Sequence, residues 1–453
     1  MRKPVLFVAL ASAALAAHPW ACFHGDPQHS GLSRHSVGDS LSVAWTFVAG
    51  GDISGSAVVN DAGQVLFGSR DVKLYCLNGD GTPAWVANLD SMGTSLYFTA
   101  PALDDEGNAY VTTNRKLVKL DSTGTVIWRY PDHNTLSISH SPVIGHDGKI
   151  YFACYSDSLY ALTPDGRLDW AHDLGLDVNS APAVGHGGNI YVATTRGGGG
   201  WRLWAFVPGG DTAWTFPIAG EADFASPAVG PDSTIYVGAD RYLYAVSADG
   251  QLMWRDSLRA AIQSCPAIAD DSTLYVTAGS YVYNVAADSG TRWRKYLGGS
   301  NYSAPAVDAN GIIYVGSALG YFYALASDST VLWSQSMPDG IWGSPAIGAD
   351  GKVFVGCMDG TFYAFQGPGV GVWARPAPLQ PALSARPNPT TGLVRLSMGG
   401  HAAERVSVYN SMGAAVDFRG AGNAVDLANL PSGVYLLEVA SPSGSVRMRV
   451  VLR

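Results

Sequence analysis

The sequence predicts an all-β fold: an eight-bladed β-propeller of four-stranded blades followed by a small C-terminal β-sandwich. Three observations lead there. A short motif recurs eight times, at Ser56-Ala57-Val58, Ala100-Pro101-Ala102, Ser141-Pro142-Val143, Ala181-Pro182-Ala183, Ser226-Pro227-Ala228, Cys265-Pro266-Ala267, Ala304-Pro305-Ala306 and Ser344-Pro345-Ala346. From Pro101 onward its steps are 41, 40, 45, 39, 39 and 40 residues. A tryptophan closes each unit on the same beat, at Trp85, Trp128, Trp170, Trp214, Trp254, Trp293, Trp333 and Trp373, with Trp45 one step ahead. A period near 40 that holds several short strands is the mark of a propeller. Composition agrees: 47% hydrophobic and 14% charged residues, with 54 glycines, 22 tyrosines and 13 tryptophans, describe a core-forming chain of Gly-rich turns and aromatic strands.

Each unit holds four strand candidates, clearest from Ser226 to Trp254. The first is the Pro-Ala-Val stretch, whose proline stands where no ladder donor is needed. The second is of the Ile235-Tyr236-Val237-Gly238 type and the third of the Tyr242-Leu243-Tyr244-Ala245-Val246 type. The fourth carries the tryptophan. Turns such as His146-Asp147-Gly148 and Pro164-Asp165-Gly166 have hairpin chemistry, because Asp and Gly tolerate positive φ. One such sheet cannot bury both faces alone, so the blades must stack and the ring must close. The rim tryptophan can wedge between blades and hydrogen-bond its indole N–H. The strand Val43-Ala44-Trp45-Thr46-Phe47 is expected to complete the blade built from Ser344 to Phe365, with Trp373 as the competitor.

Residues 1–17 read as a secretory signal peptide: a basic Met1-Arg2-Lys3, an apolar run from Val5 to Leu15, and small residues at Ala14-Leu15-Ala16-Ala17. Pro19-Trp20-Ala21 before Cys22 is not a lipobox, and no stretch of the mature chain reads as a transmembrane segment. Residues 18–40 form a leader that contains His24, His29 and His35 at a spacing matching no zinc pattern, so no metal site is expected.

The repeats, and this leader before them, resemble the PQQ-like propeller family, which includes quinoprotein dehydrogenases and the outer-membrane assembly lipoprotein BamB. The resemblance covers Trp20 to Trp373, with the ring at 41–373. For quinone catalysis it implies adjacent cysteines, a calcium site of acids and amides, and a catalytic Asp. Adjacent cysteines are absent: Cys22, Cys76, Cys154, Cys265 and Cys357 stand apart, and read as small buried hydrophobes. No cofactor and no catalytic residues are therefore assigned.

The repeat beat is lost after a Pro-rich linker, 374–384. Residues 385–453 then alternate strands and Gly turns, as expected of a β-sandwich. The Arg386-Pro387-Asn388-Pro389 opening, the Ser432-Gly433-Val434-Tyr435 strand and the basic terminal strand from Arg447 resemble a type IX secretion (type A) sorting domain. That resemblance implies the type IX secretion machinery as a partner, and a secreted or outer-cell-surface location.

The formal net charge is −9, much of it in turns, which argues against a nucleic-acid partner. In a propeller, the loops from fourth strand to next first strand open beside the channel. They vary most between copies, with Ser54, Phe98, Ser139, Asn179, Phe224, Gln263, Tyr302 and Trp342 in equivalent places and His140 one place further on. Phe98, His140, Asn179, Phe224, Gln263, Tyr302 and Trp342 are the ligand-binding candidates. The alternative is side chains that plug the channel and touch only water. Arg196-Gly197-Gly198-Gly199-Gly200 lacks the Gly-Lys-Ser/Thr of a P-loop and reads as an expanded loop. The expected function is an exported binding or scaffolding propeller, not an enzyme, for a protein, peptide or glycan ligand. The alternatives are a quinoprotein-type oxidoreductase using the channel face and a BamB-like outer-membrane assembly factor.

Overall fold

The computed structural model describes residues 18–89, 99–131, 136–138, 140–155, 157–195, 200–286 and 290–367, together with seven strands between 383 and 452 and a few positions beside them. Residues 1–17, read from the sequence as a signal peptide, and Trp373 and Phe98 lie outside the described residues. The chain divides into two compact units, Met1–Ala374 and Arg375–Arg453.

The first unit contains eight four-stranded antiparallel sheets. The fifth shows the pattern: Ala228–Val229, Ile235–Ala239, Tyr242–Val246 and Leu252–Ser257 pair in chain order. The innermost strand is shorter than the motif, because the proline stands just before it. The second and third strands are almost wholly buried, while the fourth alternates exposed and half-buried residues. That gradient follows from stacking: inner strands have a blade on either side, and the outermost strand is an edge. Core clusters accordingly straddle blade boundaries, as where Ala193 and Leu203 pack with Ile218, Val237 and Tyr244 of the next blade.

Closure joins the two ends of the ring. The strand Ser42–Val48 pairs with Thr361–Gln366 and becomes the outer strand of the eighth blade, so Trp45 holds the closing place. Across the seam, Phe67 of the first blade stacks on Phe362 of the eighth, with ring centroids 3.9 Å apart and planes 5° from parallel.

One contact repeats around the rim. The indole N–H of Trp45 donates to Gly79 O at 2.9 Å, Trp85 to Ser122 O at 2.9 Å, Trp170 to Pro208 O at 3.0 Å and Trp214 to Ala248 O at 2.9 Å. Each acceptor lies in the last hairpin turn of the following blade. In the same turn a positive-φ glycine lies flat on the indole. A Cβ at Gly81, Gly124, Gly166, Gly210 or Gly250 would come within 2.5–2.8 Å of the preceding blade's tryptophan ring. The Asp-Gly turn and the tryptophan, separate motifs in sequence, are the two halves of one clasp.

The second unit contains only strands among its described elements. Leu383–Arg386, Leu393–Met398, Ala424–Asp426 and Arg419–Ala421 form a four-stranded sheet. Arg405–Tyr409, Gly433–Ser441 and Gly444–Leu452 form a three-stranded one. The first of these strands begins within the stretch read as linker.

Breaking one clasp should loosen the ring measurably. Trp214→Ala removes a half-buried indole and its hydrogen bond, and is expected to lower unfolding free energy by about 2–4 kcal/mol in denaturant titration. Gly250→Val, which sets a branched side chain against the same ring at φ +83°, should destabilise the protein in the same direction.

Candidate ligand-binding mouth of the channel

The loops at the mouth are anchored by a repeated device. The glycine ending the second strand of a blade leaves room for an isoleucine from the loop that follows: Ile53 lies on Gly356, Ile262 on Gly238 and Ile341 on Gly316. The next residue is Ser54, Gln263 or Trp342, of which Ser54 and Trp342 line the mouth. Val178 and Asn301, both 1% exposed, hold the same place before Asn179 and Tyr302. In the fifth blade the anchor is replaced by a half-buried acid, Asp223, and the following Phe224 has φ +61°. A bulky residue in that region is strained, which marks the position as one held by its surroundings.

The first residue of the repeat motif also has a function between blades. Ser141 Oγ accepts from Ala100 N, Ser226 Oγ from Ala181 N, Ser344 Oγ from Ala304 N and Ser56 Oγ from Ser344 N, at 2.7–3.0 Å. Each alanine that opens the motif thus donates its N–H to the serine of the following blade, while Ser344 both accepts from Ala304 and donates to Ser56.

Four aromatic rings form a continuous chain over the channel. His140 meets Phe224, Phe224 meets Tyr302, and Tyr302 meets Trp342, each with ring centroids 5.5 Å apart. They come from the third, fifth, seventh and eighth blades. Beneath them is a small hollow of about 30 Å³ lined by these rings, Phe23 and the serines Ser54, Ser56, Ser226 and Ser344. His140 Nε2 donates to Asn179 Oδ1 at 2.8 Å, and Asn179 Nδ2 donates to Asp223 Oδ1, linking three loops. Asn179 supports the rings from behind and does not line the hollow. Gln263 is half-buried in the sixth blade's loop and does not line it either.

Two contributors stand outside the candidate set read from the sequence. One is Asp223, which ends the hydrogen-bonded chain from His140. The other is Phe23, which belongs to the leader. The leader lies across the channel and hydrogen-bonds to the innermost strands in ring order. Trp20 and Val59 exchange backbone hydrogen bonds, then Leu103 N donates to Ala21 O, Val184 N to Pro27 O, Val229 N to Gln28 O, Ile268 N to Ser30 O and Val307 N to Gly31 O. Two of its histidines are fully buried and point at backbone. His24 has Nδ1 2.8 Å from His29 O and Nε2 2.7 Å from Pro305 O; His29 Nδ1 lies 3.0 Å from Pro227 O. The signal for this plug was in the sequence, as an apolar and histidine-rich stretch outside the repeat. Its destination was not, because its partners are backbone groups spread from Val59 to Val307.

All five cysteines are buried and unpaired. Burial raises Cys22 and Cys265 well above the ordinary thiol range, and Cys154 to about 12, so they behave as apolar filling.

Comparison with known proteins fits this geometry. A family model described as outer membrane protein assembly factor BamB matches residues 37–206 and 202–304, more than half of the chain. The chain belongs to this PQQ-like propeller family. A second model, described as a secretion system C-terminal sorting domain, matches residues 385–453. Among solved structures, BamB from Moraxella catarrhalis is 16% identical with a TM-score of 0.60, over 72% of this chain and 100% of that one. Quinohemoprotein alcohol dehydrogenase from Comamonas testosteroni is 12% identical with a TM-score of 0.66, over 78% of this chain and 81% of that one. The quinohemoprotein alcohol dehydrogenase ADHIIG from Pseudomonas putida HK5 is also 12% identical, with a TM-score of 0.63 and the same coverages. These identities establish a shared fold. No curated protein sequence matches the chain. The sorting domain at the C-terminal end makes this PQQ-like propeller an exported protein.

Burial lowers His140 to about 4 and His29 to about 3. Between these values and the unfolded value near 6.5, only the unfolded chain takes up the protons. The contribution of each histidine is thus full above about pH 6.5 and declines as pH falls, by about 1.4 kcal/mol per unit. Denaturant titrations of the native protein and of His140→Gln at pH 7, 5.5 and 4.5 should show a shallower acid loss in the variant.

Proposed function

We propose that this protein is carried to the cell surface or the medium by the type IX machinery. There it works as a non-catalytic binding or scaffolding propeller, with the channel mouth as its contact surface. The observation that carries the reading is the cluster of His140, Phe224, Tyr302 and Trp342, partly exposed on one side and backed by a channel that the leader fills. Aromatic side chains converging on a concave site, with few polar groups among them, are what a recognition surface needs. Residues 385–453 supply the address, and no helix among the described residues is long and apolar enough to cross a membrane.

A quinoprotein-type oxidoreductase is the second reading, favoured by the likeness to the two quinohemoprotein dehydrogenases. The mouth does not fit a quinone cofactor. Sites for small molecules commonly run to about 300–1,000 Å³, and the hollow here is about 30 Å³. Its walls are serines and rings, and among the described residues no group of three His, Cys, Asp or Glu side chains is placed to hold a metal ion. A BamB-like assembly role needs retention at the inner side of the outer membrane, which a sorting domain opposes.

Two measurements test the proposal. Truncation after residue 384 should move the propeller from the cell exterior to the periplasm; an exterior location without residues 385–453 would remove the export part. Full-length protein screened against peptide and glycan arrays should give binding that Trp342→Ala abolishes while the fold, by circular dichroism, is retained.

A further inference from the structure

We propose that the channel mouth is an aromatic cage for a primary ammonium group, the tip of a lysine side chain on a partner peptide. This rests on reading the mouth as a binding surface and names what that surface takes.

Four observations converge. First, the rings of Phe224, Tyr302 and Trp342, with His140 beside them and Phe23 below, surround one small hollow. A ring face attracts a cation within about 6 Å of its centroid, and tryptophan does so best. Second, the hollow's size of about 30 Å³ suits the end of a lysine side chain and excludes a sugar ring or a fused aromatic. By the same measure one water needs about 10–15 Å³. Third, Ser54 Oγ lies in the wall of the hollow, in a side chain 1% exposed, and has no hydrogen-bond partner. A buried hydroxyl left this way costs about 1–3 kcal/mol, and an ammonium has three donors and no acceptor of its own. Fourth, the loops around the mouth are acidic. Residues 49–56, 174–181, 218–226, 258–265, 297–304 and 337–345 contain Asp52, Asp177, Glu221, Asp223 and Asp339 against Arg259, and of these acids Asp52 is ion-paired with Arg70 of the neighbouring loop at 3.0 Å.

The protonation pattern fits. His140 uses its Nε2–H on Asn179, so the neutral ring keeps its Nδ1 lone pair and adds no competing positive charge. The strained φ of Phe224 is where the chain gives up local comfort to set a ring between His140 and Tyr302. Charge and ring faces together select a cation over a neutral group of the same shape.

The test uses the full-length protein and three probes: the N-acetylated, C-amidated tripeptide Gly-Lys-Gly, whose only ammonium is the side chain's, its norleucine counterpart of nearly equal shape with the same caps, and free butylamine. Binding is read by calorimetry and by tryptophan fluorescence. The lysine peptide should bind saturably, weaken with added salt, and exceed the norleucine peptide by roughly tenfold or more. Butylamine reports whether the ammonium alone suffices: saturable binding that norleucine peptide does not compete supports the cage. Trp342→Leu should remove most of the affinity, and Asp223→Asn, which preserves an acceptor for Asn179, should weaken it several-fold. Equal affinity for the norleucine peptide, or no saturable binding of the lysine peptide at millimolar concentration, overturns the cage. Array ligands that are neutral yet need Trp342 would overturn the cage while leaving the mouth as a binding surface.

Discussion

The clasp between a rim tryptophan and the next blade's hairpin glycine is the contact on which the ring depends. Its full form, one ring, one N–H and one residue without a side chain, recurs at five boundaries, those of Trp45, Trp85, Trp128, Trp170 and Trp214; Trp293 keeps the hydrogen bond, to Ser327 O, with Ser329 in the glycine's place. Each of the first four blades supplies the tryptophan to one neighbour and the glycine to the other. Such a contact has no place to stop except by closing on itself. That is why the strand holding Trp45, first in the sequence, ends as the outer strand of the last blade. The stacked pair Phe67 and Phe362 then seals the same seam from within.

A closed ring leaves an axial channel, and innermost strands whose inward backbone groups need partners. The leader meets that need. Its hydrogen bonds run from Val59 to Val307, and its side chains Trp20, His24 and His29 occupy positions with no exposure. The same leader carries Phe23 to the underside of the aromatic cluster. Stability and recognition are thus connected: the segment that fills the channel also makes the floor of the mouth.

The mouth owes its character to exceptions in the repeat. Most of each unit obeys the demands of stacking, and the residue after each buried anchor is free of them. There the blades differ, as Ser54, Asn179, Phe224, Gln263, Tyr302 and Trp342. At the fifth blade even the anchor is lost, and Asp223 and the strained Phe224 take its place. A chain selected only to close a ring would have no reason to keep that strain.

The eight units and their strand order were legible in the chain, because period, turn chemistry and alternation are local properties; that Trp45 rather than Trp373 belongs to the closing strand was left for the structure to decide. So was the set of loops worth watching, including His140, Phe224, Tyr302 and Trp342. What the tertiary structure alone decided is which of those residues meet. Gln263 and Asn179 share the loop position but do not reach the hollow, while Phe23 reaches it from outside the repeat. The pairing of Asp-Gly turns with tryptophans of the previous blade was equally hidden, since the partners are some 35 residues apart, as Trp45 and Gly79 are. Sequence pattern reports what each unit does to itself; contacts between units depend on the angle at which closed blades face one another, and that angle exists only once the ring is complete.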